Sequence, residues 1–161
     1  MKGKVYQINV KPETPGEHGL PKYSIDKAVV TIKGMSGDYN KYRHERNNDN
    51  PDNALLLMPV EMIAQLTTEG WPVQPGDLGE NITTDSIEYN EFAVGKKYRI
   101  GEAEIQISKP CTPCKNLYLL PYVGKEKGPE FLRTILGRRG WYARVLKEGV
   151  VAKGNSIEEI V

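Results

Sequence analysis

Short segments in which apolar and polar residues alternate recur along this chain, and they restrict its possible folds more than any other feature. Such segments span residues 5–10, 98–107 and 141–146. Alternation with a period of two is typical of strands that bury one face. Two other stretches, 59–69 and 129–136, begin with proline and are followed by glycine, as helices often are. The sequence therefore predicts a mixed, β-dominated barrel with a few short helices.

Length and charge exclude several classes of protein. The 161 residues are predicted to form one domain, 1–161, with a core of its own. Lys and Arg number 22 and Asp and Glu 21, so no positive excess points to a nucleic-acid partner. The basic pair Arg138–Arg139 is a local candidate for an anion site. No signal-peptide pattern follows Met1 and no segment has the apolar length of a membrane span, so we predict a cytoplasmic protein without a membrane partner.

The two cysteines of the chain, Cys111 and Cys114, form a Cys-x-x-Cys pair after one of the alternating segments. A proline precedes each cysteine and restricts the backbone there. Lys109 and Lys115 flank the pair, and nearby positive charge favours the thiolate, the form that attacks substrates and binds metals. The pattern predicts a rigid loop that holds one sulfur in a fixed direction.

The spacing of the cysteines alone leaves several functions open. A thioredoxin-like dithiol needs the pair at the start of a helix early in an α/β fold, whereas this pair comes late and after strands. A structural zinc site needs four ligands, and the only histidines, His18 and His44, lie far away in the sequence. A single functional cysteine with an incidental neighbour and a buried, inert thiol are the remaining alternatives.

A second informative stretch, 75–84, is rich in turn residues. Pro75, Gly76 and Gly79 are predicted to bend the chain there. The polar residues that follow offer side-chain and backbone donors to an anionic ligand. A longer polar segment, 35–53, is either solvated surface or a functional loop.

Together these stretches resemble the MOSC domain, the C-terminal domain of molybdenum-cofactor sulfurases. The resemblance rests on Pro-Gly-Asp-Leu-Gly-Glu-Asn-Ile-Thr-Thr at 75–84, Ile-Gly-Glu-Ala at 100–103 and Pro-Cys-Lys-Asn-Leu at 113–117. Pro-Asp-Asn-Ala at 51–54 and Arg-Gly-Trp-Tyr-Ala-Arg-Val at 139–145 add to it. The motifs follow the expected order over nearly the whole chain, which identifies it as a stand-alone member of the family.

The resemblance implies a MOSC-type β-barrel with a pocket for the pterin of the molybdenum cofactor (molybdopterin). The family cysteine corresponds to Cys114, which would carry sulfur or coordinate molybdenum, and a soft thiolate suits both roles. Guanidinium groups match the geometry of phosphate, so arginines are expected among the residues that bind the cofactor. The cofactor-binding residues that the resemblance implies are Arg43, Asn81, Thr83, Thr84, Lys115 and Arg144. Pyridoxal phosphate is associated with the family, but no sulfurase domain that would bind it is expected in this chain.

The chain departs from the family pattern at two places. Many members carry His-Gly-Gly before the Pro-Asp-x-x-Ala-like segment, whereas this chain has Asn48-Asp49-Asn50. An arginine often precedes the Pro-Cys pair of the family, and Cys111 stands at that position here. Cys111 would either form a disulfide that masks Cys114 or be a bystander.

Two main functions follow from the resemblance. In the first, the protein is a molybdenum-cofactor oxidoreductase that reduces a small N-oxygenated (N-hydroxylated) substrate, with Cys114 as metal ligand and a separate electron donor. In the second, it is a sulfur carrier or a cofactor carrier in which Cys114 holds a persulfide for a sulfur-transfer partner. A barrel that has lost cofactor binding is a third alternative.

Overall fold

The computed structural model describes residues 2–15, 19–39 and 48–161. Strands predominate in it, and two α-helices and three short 3-10 helices complete the described elements. The strands are β1 (Lys2–Val10), β2 (Tyr23–Ile25), β3 (Lys27–Thr31), β4 (Gly34–Met35), β5 (Leu55–Pro59), β6 (Ile82–Asp85), β7 (Lys97–Ile100), β8 (Ala103–Pro110), β9 (Trp141–Lys147), β10 (Gly149–Ala152) and β11 (Ser156–Ile160). The α-helices are α1 (Val60–Thr68) and α2 (Gly124–Ile135), and the 3-10 helices span Pro51–Asn53, Tyr89–Glu91 and Lys115–Leu119.

The main sheet closes into a barrel. Its eight strands follow the order β11-β7-β8-β9-β5-β6-β1-β2, and β11 also pairs with β1. The seven strands other than β2 therefore form a closed ring, which leaves few unpaired strand edges. The pair β5–β6 is parallel, whereas the other pairs in this sheet are antiparallel. The predicted β-dominated barrel with few helices is confirmed.

Two apolar clusters stabilise the molecule. The first fills the barrel, and its members include Ile8, Leu55, Leu57, Ile82, Ile100, Ile105 and Ala143. The second lies where the helices cover the barrel, and its members include Met58, Leu66, Leu78, Leu117, Phe131 and Ile135. Because the second cluster includes residues on both sides of the cysteine loop, the helices help to fix that loop against the barrel.

Helix α1 follows the sequence-based expectation, whereas α2 does not. Helix α1 ends just before Gly70, whose φ of 102° is favourable only for glycine. Helix α2 begins at Gly124, so the prediction of a start at Pro129 was wrong. Proline disfavours a helical residue before it, but here that residue is the buried Gly128, which packs directly on the Tyr118 ring. The close packing of Gly128 on Tyr118 accompanies a helical conformation at this residue, against the non-helical preference of a residue before proline.

Substitution of Gly128 by alanine is expected to destabilise the protein by about 1–2 kcal/mol, because a Cβ atom there would overlap the Tyr118 ring. This overlap opposes the gain in helix propensity of about 1 kcal/mol. Urea unfolding measures the change. Gly19→Ala is the control, since a Cβ at Gly19 meets no atom of the described residues within 4 Å. Equal stability of Gly128→Ala and wild type would contradict the close contact.

In the part of the chain that the structure describes, no helix has the length and apolar character needed to cross a membrane.

Candidate functional site

A cavity of about 1100 Å³ opens beside the cysteine loop. Its described wall comes from parts of the chain that are distant in sequence: 11–15 with 19–22, Tyr39, 53–56, 78–79, 109–119 and 139–142. The turn before β6 and the chain around the end of β8 thus meet the segment after β1. The barrel and the second apolar cluster hold these segments together, so the cavity is a product of the fold and not of one loop.

Cys114 lies at the wall of this cavity with an exposed, free thiol. It directly precedes the 3-10 helix Lys115–Leu119, and its carbonyl accepts a hydrogen bond of 3.1 Å from the N–H of Leu117. Leu117 is buried in the second apolar cluster. The buried Leu117 side chain thus fixes the backbone next to Cys114, whereas Cys114 itself is exposed at the cavity.

Cys111 occupies a different environment. Its thiol is buried and free, so the two cysteines do not form a disulfide in this structure. The backbone N–H of Cys111 donates to the carbonyl of Gly140 at 2.9 Å, and Arg139 Nη1 donates to the Cys111 sulfur at 2.8 Å. Burial raises the pKa of the neighbouring Tyr142 hydroxyl, and the Cys111 sulfur that accepts its hydrogen bond raises that pKa further. Cys111 is therefore an acceptor for polar groups of the cavity wall.

The cavity wall is rich in positive charge. Its cationic residues are Lys11, Lys22, Lys109 and Arg139, and among the described lining residues Glu13 is the only carboxylate. Lys22 is paired with Asp38 at 2.7 Å, and the Lys109 ammonium lies 5.8 Å from the centre of the Tyr142 ring. An excess of cations around a concave site attracts anionic ligands.

Two buried polar atoms of the wall lack a hydrogen-bond partner within the described residues: Asn53 Oδ1, an acceptor, and Arg139 Nε, a donor. Buried polar groups in native proteins are nearly always hydrogen-bonded, so unpaired ones at a cavity suggest a ligand. Asn53 ends a 3-10 helix whose first turn is capped by Asn50, which accepts a bond of 2.9 Å from the N–H of Asp52. Asn50, the last residue of the Asn48-Asp49-Asn50 departure from the family pattern, thus helps to position Asn53.

Three of the predicted cofactor-binding residues lie inside the protein and are not part of the cavity wall. Asn81 donates to Asp38 Oδ2 at 2.9 Å and accepts from the N–H of Leu56 at 3.0 Å. Thr83 donates to Glu80 at 3.0 Å. The hydroxyl of Thr84 is buried and has no partner among the described residues. Asn81 thus supports the wall through its neighbours, and direct cofactor binding by the three residues stays a prediction.

The other predicted site residues are dispersed. Lys115 is exposed next to Cys114 but does not line the cavity. Arg144 donates to Asp52 and to Gln106, both at 2.8 Å, and is also absent from the wall. Arg43 lies outside the described residues, as do His18 and His44. Over 2–15, 19–39 and 48–161, no group of three or more His, Cys, Asp or Glu side chains is arranged to hold a metal ion.

The sequence did not predict three buried polar residues of the wall: Lys11, Lys22 and Asn53. Asn53 lies within the Pro-Asp-Asn-Ala motif, so the motif was a usable signal. Lys11 and Lys22 flank a stretch that is dense in turn residues, and local sequence offers no sign that both are buried.

The fold and the site define a class: a β-barrel protein with an accessible thiol beside a cationic cavity. Residues 44–158 match the MOSC domain family. Because this match covers most of the chain, the protein belongs to the MOSC domain family, as the motifs predicted.

Two relatives are informative. YiiM of Escherichia coli K12 is 29% identical over 145 residues, which are 86% of this chain and 62% of YiiM. A protein of Gibberella moniliformis named Reductase is 33% identical over 85 residues, which are 51% of this chain and 14% of that protein. The chain spans 50% and 62% of the lengths of the first two curated relatives that it matches.

Solved structures share the fold. The crystal structure of E. coli YiiM has a TM-score of 0.73 at 24% identity and covers 100% of this chain and 70% of that chain. The crystal structure of the YUAD protein of Bacillus subtilis has a TM-score of 0.79 at 18% identity, covering 98% of this chain and 94% of that chain. At these identities the likeness shows the fold alone.

Proposed function

We propose that the cavity binds the molybdenum cofactor with Cys114 as the metal ligand, and that the protein reduces N-oxygenated compounds. The observation that carries this proposal is the accessible Cys114 thiol at the wall of a cationic cavity. Membership of the MOSC family supports association with this cofactor. The partial match to a protein named Reductase supports an oxidoreductase.

The residues of the cavity fit the chemistry of this cofactor. A thiolate is a soft ligand of the kind that suits molybdenum, and Cys114 would hold the metal. Lys11 would contact the phosphate of the cofactor, since a cationic donor matches it. The unpaired atom Asn53 Oδ1 offers an acceptor to the edge of a pterin ring. The volume of about 1100 Å³ is at the upper end of small-molecule sites, which leaves room for a substrate.

Once bound, the cofactor would supply a metal centre that accepts an oxygen atom from the substrate and exchanges two electrons. The chain itself would bind and orient the reactants and limit the access of water. Apolar residues line part of the cavity, among them Leu20, Leu56 and Leu78. The electrons would come from a separate donor protein, which is a further part of this proposal.

The molybdenum content of protein purified from a host that makes the cofactor tests the proposal. We expect near-stoichiometric molybdenum in the wild type and background levels in Cys114→Ala, because the metal loses its protein ligand. Cys111→Ser is the matched control, since its side chain is buried and does not line the cavity, and it should retain the metal. Mass spectrometry of the metal gives the result.

Absence of both molybdenum and pterin from the wild type would refute the proposal. A persulfide on Cys114, seen in the intact mass as one added sulfur atom, would then identify a sulfur carrier. If molybdenum is present, reduction of an N-hydroxylated base by a chemical electron donor is the next assay, and the activity should fall to background in Cys114→Ala.

A further inference from the structure

Arg139 is a buried cation without an acidic partner among the described residues. Its side chain lies in the turn between α2 and β9, and the residue is 6% exposed. In the described chain its hydrogen bonds go to a carbonyl oxygen and a sulfur, and no carboxylate lies within ion-pair distance. A buried charge is costly unless an opposite charge or several hydrogen bonds compensate it. An anion in the cavity would provide that compensation.

Two contacts fix the direction of the guanidinium group. Nη2 donates to the carbonyl of Leu78 at 2.9 Å, and Nη1 donates to the Cys111 sulfur at 2.8 Å. Because the group is planar and rigid, two contacts at different nitrogens hold it in one orientation. The backbone N–H of Cys111 also donates to the carbonyl of Gly140, the residue after Arg139. This second hydrogen bond holds the backbone of Cys111 next to the backbone of Arg139.

The wall leaves space next to this group. Gly79 lines the cavity with a φ of 84°, and a Cβ atom there would lie 3.0 Å from Leu20 Cδ2 and 3.9 Å from Arg139 Nη2. A side chain at this position would therefore narrow the approach to the guanidinium. The Nε atom of Arg139 has no hydrogen-bond partner among the described residues and is a donor that a ligand could engage.

We propose that Arg139 is an oxyanion-binding residue of the cavity, and that Cys111 and the Leu78 carbonyl position its guanidinium. The ligand is a phosphate-like group, which a planar guanidinium binds through paired N–H donors. This role explains the cysteine at position 111, where the family often has arginine. Arg139 brings a guanidinium from another part of the chain to the same place, and a second arginine at position 111 would repel it.

The oxyanion has two sources that share this chemistry: the phosphate of the cofactor, or a phosphate on the substrate. The choice between these sources rests on the proposed function. Binding of free phosphate by cofactor-free protein does not depend on the proposed function. A failure of phosphate binding at Arg139 can therefore be distinguished from a failure of the proposed function.

The first test measures the binding of inorganic phosphate to protein from a host that cannot make the cofactor. The melting temperature is recorded against phosphate concentration, with chloride at equal ionic strength as reference. We expect wild type to be stabilised and Arg139→Gln to lose at least tenfold in affinity. Arg138→Gln is the matched control, because Arg138 pairs with Glu69 and does not line the cavity, and it should bind as wild type does. Equal affinity of Arg139→Gln and wild type would overturn the proposal.

A second measurement covers the case that Arg139→Gln does not fold. The Nε–H resonance of Arg139 in the wild type, assigned by its absence from Arg139→Lys, should shift on phosphate titration. Saturation should occur at the concentration that stabilises the protein. A resonance that stays fixed at all phosphate concentrations would overturn the proposal, and the Arg139→Lys variant serves only to assign the signal.

The positioning role of Cys111 has its own test. Cys111→Ala should weaken phosphate binding several-fold, and Cys111→Ser should restore it, because a hydroxyl oxygen can again accept from Arg139. A purely structural role would lower the melting temperature of the two variants without changing their phosphate affinity, and that result would refute positioning.

Cofactor-loaded protein then separates the two sources. If loading abolishes phosphate binding at Arg139, the phosphate of the cofactor occupies the site. If loaded protein still binds phosphate and Arg139→Gln abolishes that binding, the site serves a phosphate on the substrate. Each of these results supports an oxyanion-binding Arg139, and each names a different ligand.

Discussion

Replacement of Asp38 by alanine is expected to lower the free energy of unfolding by about 3–5 kcal/mol, because it leaves a buried ammonium group without its counter-charge. The side chains of Lys22 and Asp38 are only 6% and 8% exposed, and their charged atoms are 2.7 Å apart. Asp38 also accepts from the Lys11 N–H and from the Asn81 amide, each at 2.9 Å. One carboxylate thus connects three segments at the cavity, and urea unfolding measures its contribution.

A matched pair elsewhere provides the control. Asp52 and Arg144 are also in contact, but their side chains are 43% and 38% exposed, so Asp52→Ala should cost less than about 1 kcal/mol. Adding Lys22→Met to Asp38→Ala should recover much of the loss, since the unpaired charge is then removed. If Asp38→Ala and Asp52→Ala cost the same, the buried pair does not stabilise the fold as we infer.

The buried pair Lys22–Asp38 shows why the sequence did not predict that Lys11 and Lys22 line the cavity. The chain between them is dense in proline and glycine, and such a stretch predicts an exposed loop. Both lysines are nevertheless buried, and Lys22 is compensated by Asp38, which is sixteen residues further along the chain. Long-range pairing of this kind leaves no local pattern in a single sequence.

The strands were predictable because alternation is a local property. The alternating segment 98–107 forms the hairpin of β7 and β8, in which Ile100 lies opposite Ala103. The closure of the barrel by β1 and β11, with Lys2 opposite Glu158, joins the two ends of the chain. The sequence of neither strand identifies the strand with which it pairs. The sequence therefore predicted a β-barrel but not the order of its strands.

The candidate site likewise has one part that the sequence predicted and another that only the structure shows. Cys114 was identified through its motif, and the structure places its thiol at the cavity. The adjacent arginines Arg138 and Arg139 were equivalent candidates for an anion site. The structure separates them, because Arg138 pairs with Glu69 while Arg139 is buried against Cys111 and lines the cavity. Only the three-dimensional arrangement distinguishes two identical neighbours.

We expect Glu80 to make the stability of the protein depend on pH between about 4.5 and 7. Its carboxyl is fully buried, and burial raises its pKa from 4.5 to about 7, although hydrogen bonds from the Gly76 N–H and the Thr83 hydroxyl oppose the rise. The folded protein therefore binds a proton more tightly than the unfolded chain does. The resulting stability is fully present below pH 4.5 and is lost as the pH rises through about 7. The difference between the two pKa values corresponds to about 3 kcal/mol.

We expect Glu80→Gln to remove this pH dependence, because an amide stays neutral at all these pH values. At about pH 8 the variant should be more stable than wild type by up to about 3 kcal/mol, whereas at about pH 5 the two should be similar. Urea unfolding at both pH values gives the comparison, and Glu130→Gln on the exposed face of α2 should follow wild type. Glu80 directly follows Leu78 and Gly79, which line the cavity. Because the Leu78 carbonyl accepts a hydrogen bond from Arg139, we expect a buried negative charge on Glu80 to destabilise the segment that positions Arg139 as well. The same pH dependence in wild type and Glu80→Gln would show that this carboxyl is not the group responsible.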